Sequence, residues 1–344
     1  MIGSFYAIPR GSAKSALSAV QCGLWPLERH RYHGVHMTGA AGPTLRSPAV
    51  AGAFYPGDAE RCRRAAEALL REQAVASGES GGPSHERQWS GAIVPHAGWI
   101  CSGAIAAQSI ATLAQSRDVA PDVVVVFGAV HTPVRIDFAA LDAHERWAVP
   151  GGETPLALGA MRELTSESMG GGLFEVEERL HRHEHAIEVE LPLIQAAWPT
   201  AMLVPIEVPL MEDAVDIGIR TARAIQNAKL RPVYLASSDL THYGPDYRFA
   251  PADVGMNGLL WAKENDRRLL SVVTDMQPER IVTEVRQQLN ACGGGAIAAM
   301  VSACREHGAS EAQVLRHANS FEVLQNVMPQ RPDNAVGYAG VVIG

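Results

Sequence analysis

Four separate segments of this 344-residue chain each run a short apolar stretch into a chemically armed tip. They are Gly91-Ala-Ile-Val-Pro-His96, Val123-Val-Val-Val-Phe-Gly-Ala-Val-His131, Val233-Tyr-Leu-Ala-Ser-Ser-Asp239-Leu-Thr-His242 and Asn290-Ala-Cys292-Gly-Gly-Gly295. The first three read as buried parallel strands, because short β-rich runs bounded by Pro or Gly are almost continuously apolar when both sheet faces are covered. In open α/β sheets, ligands bind beyond the carboxyl ends of the strands. Two His, an Asp/His pair and a Cys at such ends are therefore placed to converge on one site.

From residue 46 onward the elements alternate. Asp58 is a plausible N-cap for a helix over 59–76, and the turn residues of 77–85 predict a loop. Strands are predicted at 91–95, 122–128, 201–207, 232–237, 313–323 and 336–343, with a hairpin-like region at 134–150. Helices fit 103–115, 156–167, 184–197 (interrupted near Pro192), 212–228, 253–275, 278–289 and 294–307. Such alternation favours one domain over 46–344, an α/β/α sandwich around a mostly parallel central sheet. Residues 1–45 lack a sustained period and carry a single acidic residue, Glu28. They read as a disordered extension, or as a start assigned too early with Met37 as the true one. A transit peptide is the less favoured reading.

Composition narrows the function classes. A net charge of −8 argues against nucleic-acid or anionic-membrane partners, and no apolar run approaches a membrane span. The five cysteines (Cys22, Cys62, Cys101, Cys292 and Cys304) are odd in number and unclustered, which suggests a reducing, cytoplasmic setting.

His96 and His131, taken singly, are as compatible with structural hydrogen bonding as with ligation. Their placement at parallel strand ends favours a shared ion, and neutral imidazole suits Zn, Fe and Cu. Cys292 opens a Gly-rich turn before an Ala-rich helix, where a helix N-terminus favours thiolate and hence a ligand or nucleophile. The other cysteines read as incidental or core. Asp239 is expected either to orient His242 as an acid/base pair or to accept a hydrogen bond from a ligand imidazole. In His181-Arg-His183-Glu-His185-Ala-Ile-Glu188, His185 and Glu188 fall on one helix face. His185 reads as site-lining, His181 and His183 as surface residues, and Glu184 as a favourable first-turn residue. The absence of a Gly-x-Ser-x-Gly elbow argues against a serine hydrolase.

Several segments together resemble the Memo family. They are Arg46-Ser-Pro-Ala-Val-Ala-Gly-Ala-Phe-Tyr-Pro56, Pro95-His-Ala-Gly98 with Ser102-Gly103, Glu184-His-Ala-Ile-Glu188-Val-Glu-Leu-Pro192, Ser237-Ser-Asp-Leu-Thr-His242, Cys292-Gly-Gly-Gly295 and Val336-Gly-Tyr-Ala-Gly340. The resemblance implies a fold akin to the class III extradiol dioxygenases, whose iron is held by two His and one Glu. It carries over His96, His131 and Cys292 as metal ligands, with Cys in place of Glu, and places Asp239, His242 and His185 at the site. A thiolate is softer than a carboxylate and is itself oxidisable, so ring cleavage does not follow from the fold.

The expected activity is that of a non-haem Fe(II) oxidoreductase, with Cu or Zn as other candidate metals. It would act on a small molecule, with His242 moving protons. A zinc-type hydrolase and a non-catalytic metal- or peptide-binding signalling protein are the alternatives. The resemblance also implies radical-SAM proteins as partners. Trp99 and Tyr243, close to the motifs, are compatible with an aromatic substrate.

Overall fold

The computed structural model describes residues 44–79, 88–166, 171–251 and 253–344. Residues 1–43 of the segment expected over 1–45, with Cys22, and residues 80–85 of the expected 77–85 loop lie outside them. In chain order the elements are β1 (Leu45–Arg46), α1 (Ala59–Glu79), β2 (Gly91–Val94), α2 (Gly103–Gln115), β3 (Val123–Gly128), β4 (Ala139–Leu141), β5 (Arg146–Val149), β6 (Gly152–Pro155) and α3 (Leu158–Leu164). They continue as β7 (Phe174–Val176), α4 (Glu178–His181), a 3-10 turn (Glu188–Glu190), α5 (Leu191–Ala197), β8 (Met202–Glu207), α6 (Ala214–Asn227), β9 (Pro232–Ser237) and β10 (His242–Tyr243). A 3-10 turn (Pro245–Tyr247), α7 (Met256–Thr274), α8 (Pro278–Gln288), α9 (Gly294–Glu306), β11 (Ala312–Asn319), α10 (Ser320–Leu324) and β12 (Ala335–Ile343) complete the chain.

The three strands read from apolar runs, together with β8, form the middle of the main sheet in the order β2-β9-β3-β8, all parallel. Every residue of β2 and β3 is buried, as two covered faces require. One face is covered by α2, with α1 and α5 packed against it. The other is covered by α9, flanked by α6 and α8. The result is a mixed α/β domain with a large central sheet and helices on both sides.

The expectation of a mostly parallel sheet holds only for the centre. At one flank β12 runs antiparallel to β2, β11 and β10, and at the other β4 runs antiparallel to β8. The reason is the direction of entry. The chain reaches β4 from the carboxyl end of β3, and its return down the sheet must oppose the parallel strands. Likewise β12 begins beside His242 at that same end.

Local departures from the sequence reading have local causes. The capping box of Asn319 and Glu322 stops β11 at Asn319 and starts α10, where a strand to 323 was expected. Helix α1 continues to Glu79 rather than ending at 76. The hairpin-like region resolves into β4, which joins the main sheet, and the β5–β6 hairpin, to which β1 adds in parallel. The helix expected over 184–197 begins only at Glu188, because the Glu184 carboxylate takes the His185 and Ala186 N–H groups into a local turn.

Candidate metal centre

Register brings the armed tips to one level. Val94 pairs with Ser237, Ser237 with Gly128, and Gly128 with Glu207, so β2, β9, β3 and β8 end in line. His96 and His131 follow the first and third of these ends by two and three residues. His185 arrives from the turn before the Glu188 3-10 segment. One ligand atom from each of these three imidazoles lies within 4.8 Å of the other two. The His131 and His185 rings stack at 4.5 Å, and the His96 ring stands edge-on to both at 5.0 and 5.2 Å.

Each imidazole is held through Nδ1. Ser237 Oγ donates to the Ala186 carbonyl at 2.5 Å, which commits its only proton. It must therefore accept from His96 Nδ1, 2.9 Å away, and this leaves a lone pair on Nε2. Glu184 Oε1 lies 2.8 Å from His131 Nδ1 and 3.2 Å from His185 Nδ1. That leaves the Nε2 atoms as the ring nitrogens that an ion would take. A borderline-soft, nitrogen-rich donor set of this kind fits Fe(II), Zn or Cu.

Cys292 stands at the edge of this cluster. Its Sγ is 3.3 Å from His96 Nε2 and also reaches His131. The Gly-rich turn is what lets it approach, since Gly293 N–H donates to Ser238 Oγ at 2.9 Å and a Cβ at Gly293 would fall 2.7 Å from the Ser238 side chain. Ser238 and the Asp239 carbonyl lie beside the sulfur at 3.8 and 3.6 Å. The histidine cluster therefore includes His185, read from sequence only as lining the site. The Cys292 sulfur adjoins two of its three members.

Asp239 and His242 do not form the pair expected. Asp239 Oδ1 accepts the His96 backbone N–H at 2.9 Å, and among the described residues no hydrogen bond joins it to His242. The carboxylate braces the backbone of the His96 segment while Ser237 takes the imidazole. Burial pushes Asp239 up to about 7, against the lowering effect of N–H groups from His96 and Ala97. Burial, followed by the nearby His131 and His185, pushes His242 down to about 4. Its Nε2 is buried without a hydrogen-bond partner, and Tyr247 lies against the ring at 5.1 Å. His96 is likewise pushed well down by burial and its two imidazole neighbours.

Glu184 is the main residue that sequence reasoning missed. It was read as a helix-dipole residue, yet it is buried and receives the His131 and His185 backbone N–H groups, each at 2.8 Å, as well as the His131 ring. Burial alone would raise its pKa, but His131 and His185 outweigh that and hold it well below the usual carboxylate range. The available signal was a carboxylate next to a candidate ligand. Glu188, read from sequence as beside His185 on one helix face, takes partners from the start of the chain's described region. It is buried against Arg46 at 2.7 Å and accepts from Ala49 N, Val50 N and the Tyr55 hydroxyl. His181, expected at the surface, is fully buried. Its Nε2 donates to the Ala140 carbonyl at 3.0 Å, and its Nδ1 is 3.0 Å from Glu207 at the end of β8. His183 is exposed, as expected.

Trp99 and Tyr243 serve packing. Trp99 Nε1 donates to the Val189 carbonyl at 3.1 Å, and the buried Tyr243 hydroxyl donates to the Asp253 carbonyl at 2.7 Å. The aromatic neighbours of the site histidines are instead Phe54, 4.9 Å from the His185 ring, and Tyr247 beside His242. Cys62, Cys101, Cys292 and Cys304 are all free thiols, and only Cys292 is near the cluster. Among the described residues, no helix is long and apolar enough to cross a membrane.

Comparison with known proteins places this geometry in a lineage. Residues 46–342 match the family described as Memo-like protein. A MEMO1 family protein of Methanococcoides burtonii is 30% identical over 305 residues, covering 87% of this chain and 100% of that protein. Relatives of the same description from Thermococcus onnurineus and Methanosarcina mazei are each 31% identical, over 87% of this chain and 99% of their own length. The match runs from the Arg46 that grips Glu188 into the last strand, β12, and encloses the clustered histidines: this chain belongs to the Memo family.

Proposed function

We propose that this protein is a metal-dependent oxidoreductase of the non-haem Fe(II) type that acts on a small molecule. In this reading its domain follows the class III extradiol dioxygenase arrangement. The observation that carries the proposal is the set of three imidazoles whose Nδ1 atoms are all engaged, with the Cys292 thiol 3.3 Å from one of the free Nε2 atoms. His96 and His131 would hold the ion, and His185 and Cys292 supply the further donors. When bound, Fe(II) would supply an open coordination face for O₂ and substrate.

The remaining roles belong to the chain itself. Ser237 and Glu184 fix the imidazole tautomers, and Asp239 braces the His96 backbone. His242, held neutral by burial, has a buried, unpartnered Nε2 and is suited to accept a proton from substrate. Phe54 and Tyr247 give the site aromatic walls that would exclude water from an apolar ring. Four free thiols fit a reducing cytoplasm, and radical-SAM proteins are the proposed pathway partners.

A second reading draws on the same cluster. Three His with an open fourth position is also the composition of a catalytic zinc site, which would make the protein a hydrolase. The test is metal content of anaerobically purified protein beside Cys292→Ala and His185→Ala variants, followed by a substrate screen with O₂ uptake as the signal. Near-stoichiometric iron, reduced in both variants, is expected. Zinc with turnover that needs no O₂ would establish the hydrolase instead. No metal after reconstitution would overturn both and leave a binding protein.

A further inference from the structure

We infer that Glu184 is the positioning residue of this centre: one buried carboxylate that aims two metal-facing imidazoles at once and so brings His185 into the donor set. The inference rests on the metal-centre reading above and concerns how the chain builds that centre.

The argument begins with the capacity of a single side chain. Glu184 Oε1 accepts from His131 Nδ1 and the His185 backbone N–H, each at 2.8 Å, and from the Ala186 N–H at 3.1 Å, and it lies 3.2 Å from His185 Nδ1. Its Oε2 accepts the His131 backbone N–H at 2.8 Å. A carboxylate offers about four lone-pair directions, so these contacts leave it little capacity to bind an ion directly. A residue that merely closed the turn would need only the N–H groups of residues 185 and 186. Glu184 also reaches 53 residues back in sequence to the loop after β3 and takes both the backbone and the ring of His131.

The consequence for the rings is geometric. His131 Nδ1 bonds Glu184 Oε1 and His185 Nδ1 lies 3.2 Å from the same oxygen; the two imidazoles lie nearly parallel, 28° apart, and one ligand atom of each comes within 4.8 Å of one on His96. Ser237 does the same for His96, but as a neutral hydroxyl. Glu184 thus sets a carboxylate behind two of the imidazoles that would hold the ion, in addition to any charge the Cys292 sulfur would supply. Glu184 is itself held by Arg46, whose Nη2 donates to the Glu184 carbonyl at 2.7 Å. Removing partners of this kind from ligating histidines typically lowers metal affinity 10–100-fold. A partner shared by two ligands should fall at the upper end of that range.

The test uses the full-length protein titrated with Zn(II) and, for its visible spectrum, Co(II). Glu184→Gln keeps the size and one acceptor oxygen. Its affinity for both ions is expected to fall roughly 10–100-fold, with altered Co(II) bands. In a His185→Ala background the same substitution should cost less, because only one imidazole remains to be aimed. Unchanged affinity and Co(II) spectrum would overturn the inference even if the apo variant melted early, since a purely structural role predicts that result. Equal cost in both backgrounds would also overturn it. Should the variant fail to fold, nitrogen-15 NMR of the zinc-loaded wild type decides. Nδ1-bound protons on both His131 and His185 are expected, and zinc bound through either Nδ1 would refute the assignment. Wild-type protein that binds neither ion would overturn the metal-centre reading and this inference with it, whereas the other negative results remove this inference alone.

Discussion

Replacing Glu188 by Gln should destabilise the fold by about 3–5 kcal/mol, the usual cost of leaving one partner of a buried ion pair alone. The pair is Arg46 Nη1 and Glu188 Oε2 at 2.7 Å, with side-chain exposures of 1% and 0%. Glu188 also takes two backbone N–H groups and the Tyr55 hydroxyl, so its two oxygens serve four donors. Gln offers one oxygen in their place and turns an NH₂ toward the rest, and each buried donor left without an acceptor costs about 1–3 kcal/mol. Against a total stability of about 5–15 kcal/mol, that is a large fraction. The effect should reach the site, because Arg46 also donates to the His181 and Glu184 carbonyls that flank the His185 turn. The assay is urea unfolding of the apo protein, for Glu188→Gln and for the cycle of Arg46→Met, Glu188→Leu and the two combined. The double variant leaves no buried charge alone, so its loss should fall at least ~2 kcal/mol short of the summed single losses. A loss under about 1 kcal/mol for Glu188→Gln, or strict additivity, would refute the reasoning.

Two further outcomes are expected. Gly295→Ala should lower stability by about 1–3 kcal/mol and weaken metal binding, because a Cβ there collides with the Pro209 carbonyl oxygen at the start of α9 and pushes Cys292 from its place; an unchanged melting curve would rule this out. His242 should titrate near 4 in the folded apo protein against about 6.5 unfolded, so it is neutral at pH 7. Its contribution to stability is then present above about pH 6.5 and lost as pH falls toward 4, and His242→Gln should show less of that acid loss than the wild type. An NMR pKa of 6 or above would contradict the burial argument.

The central strands, the ends at which chemistry would gather, and the identity of most groups there are legible in the sequence alone. Those follow from apolar runs whose length and content have one economical meaning, a strand covered on both faces, as the buried β2 and β3 show. The resemblance supplied the family. Which groups meet follows from the folded arrangement. That Glu184 is a clamp and not a first-turn residue depends on the loop after β3 crossing to the turn before Glu188. That His181 is buried depends on Arg46 and β4 closing over it. That Asp239 serves the His96 backbone rather than His242 depends on the pairing of β2 with β9. Periodicity reports which face of an element is apolar, because burial is a local average over side chains. A hydrogen bond between polar groups far apart in the chain is set by the register and direction of elements that neither segment encodes alone.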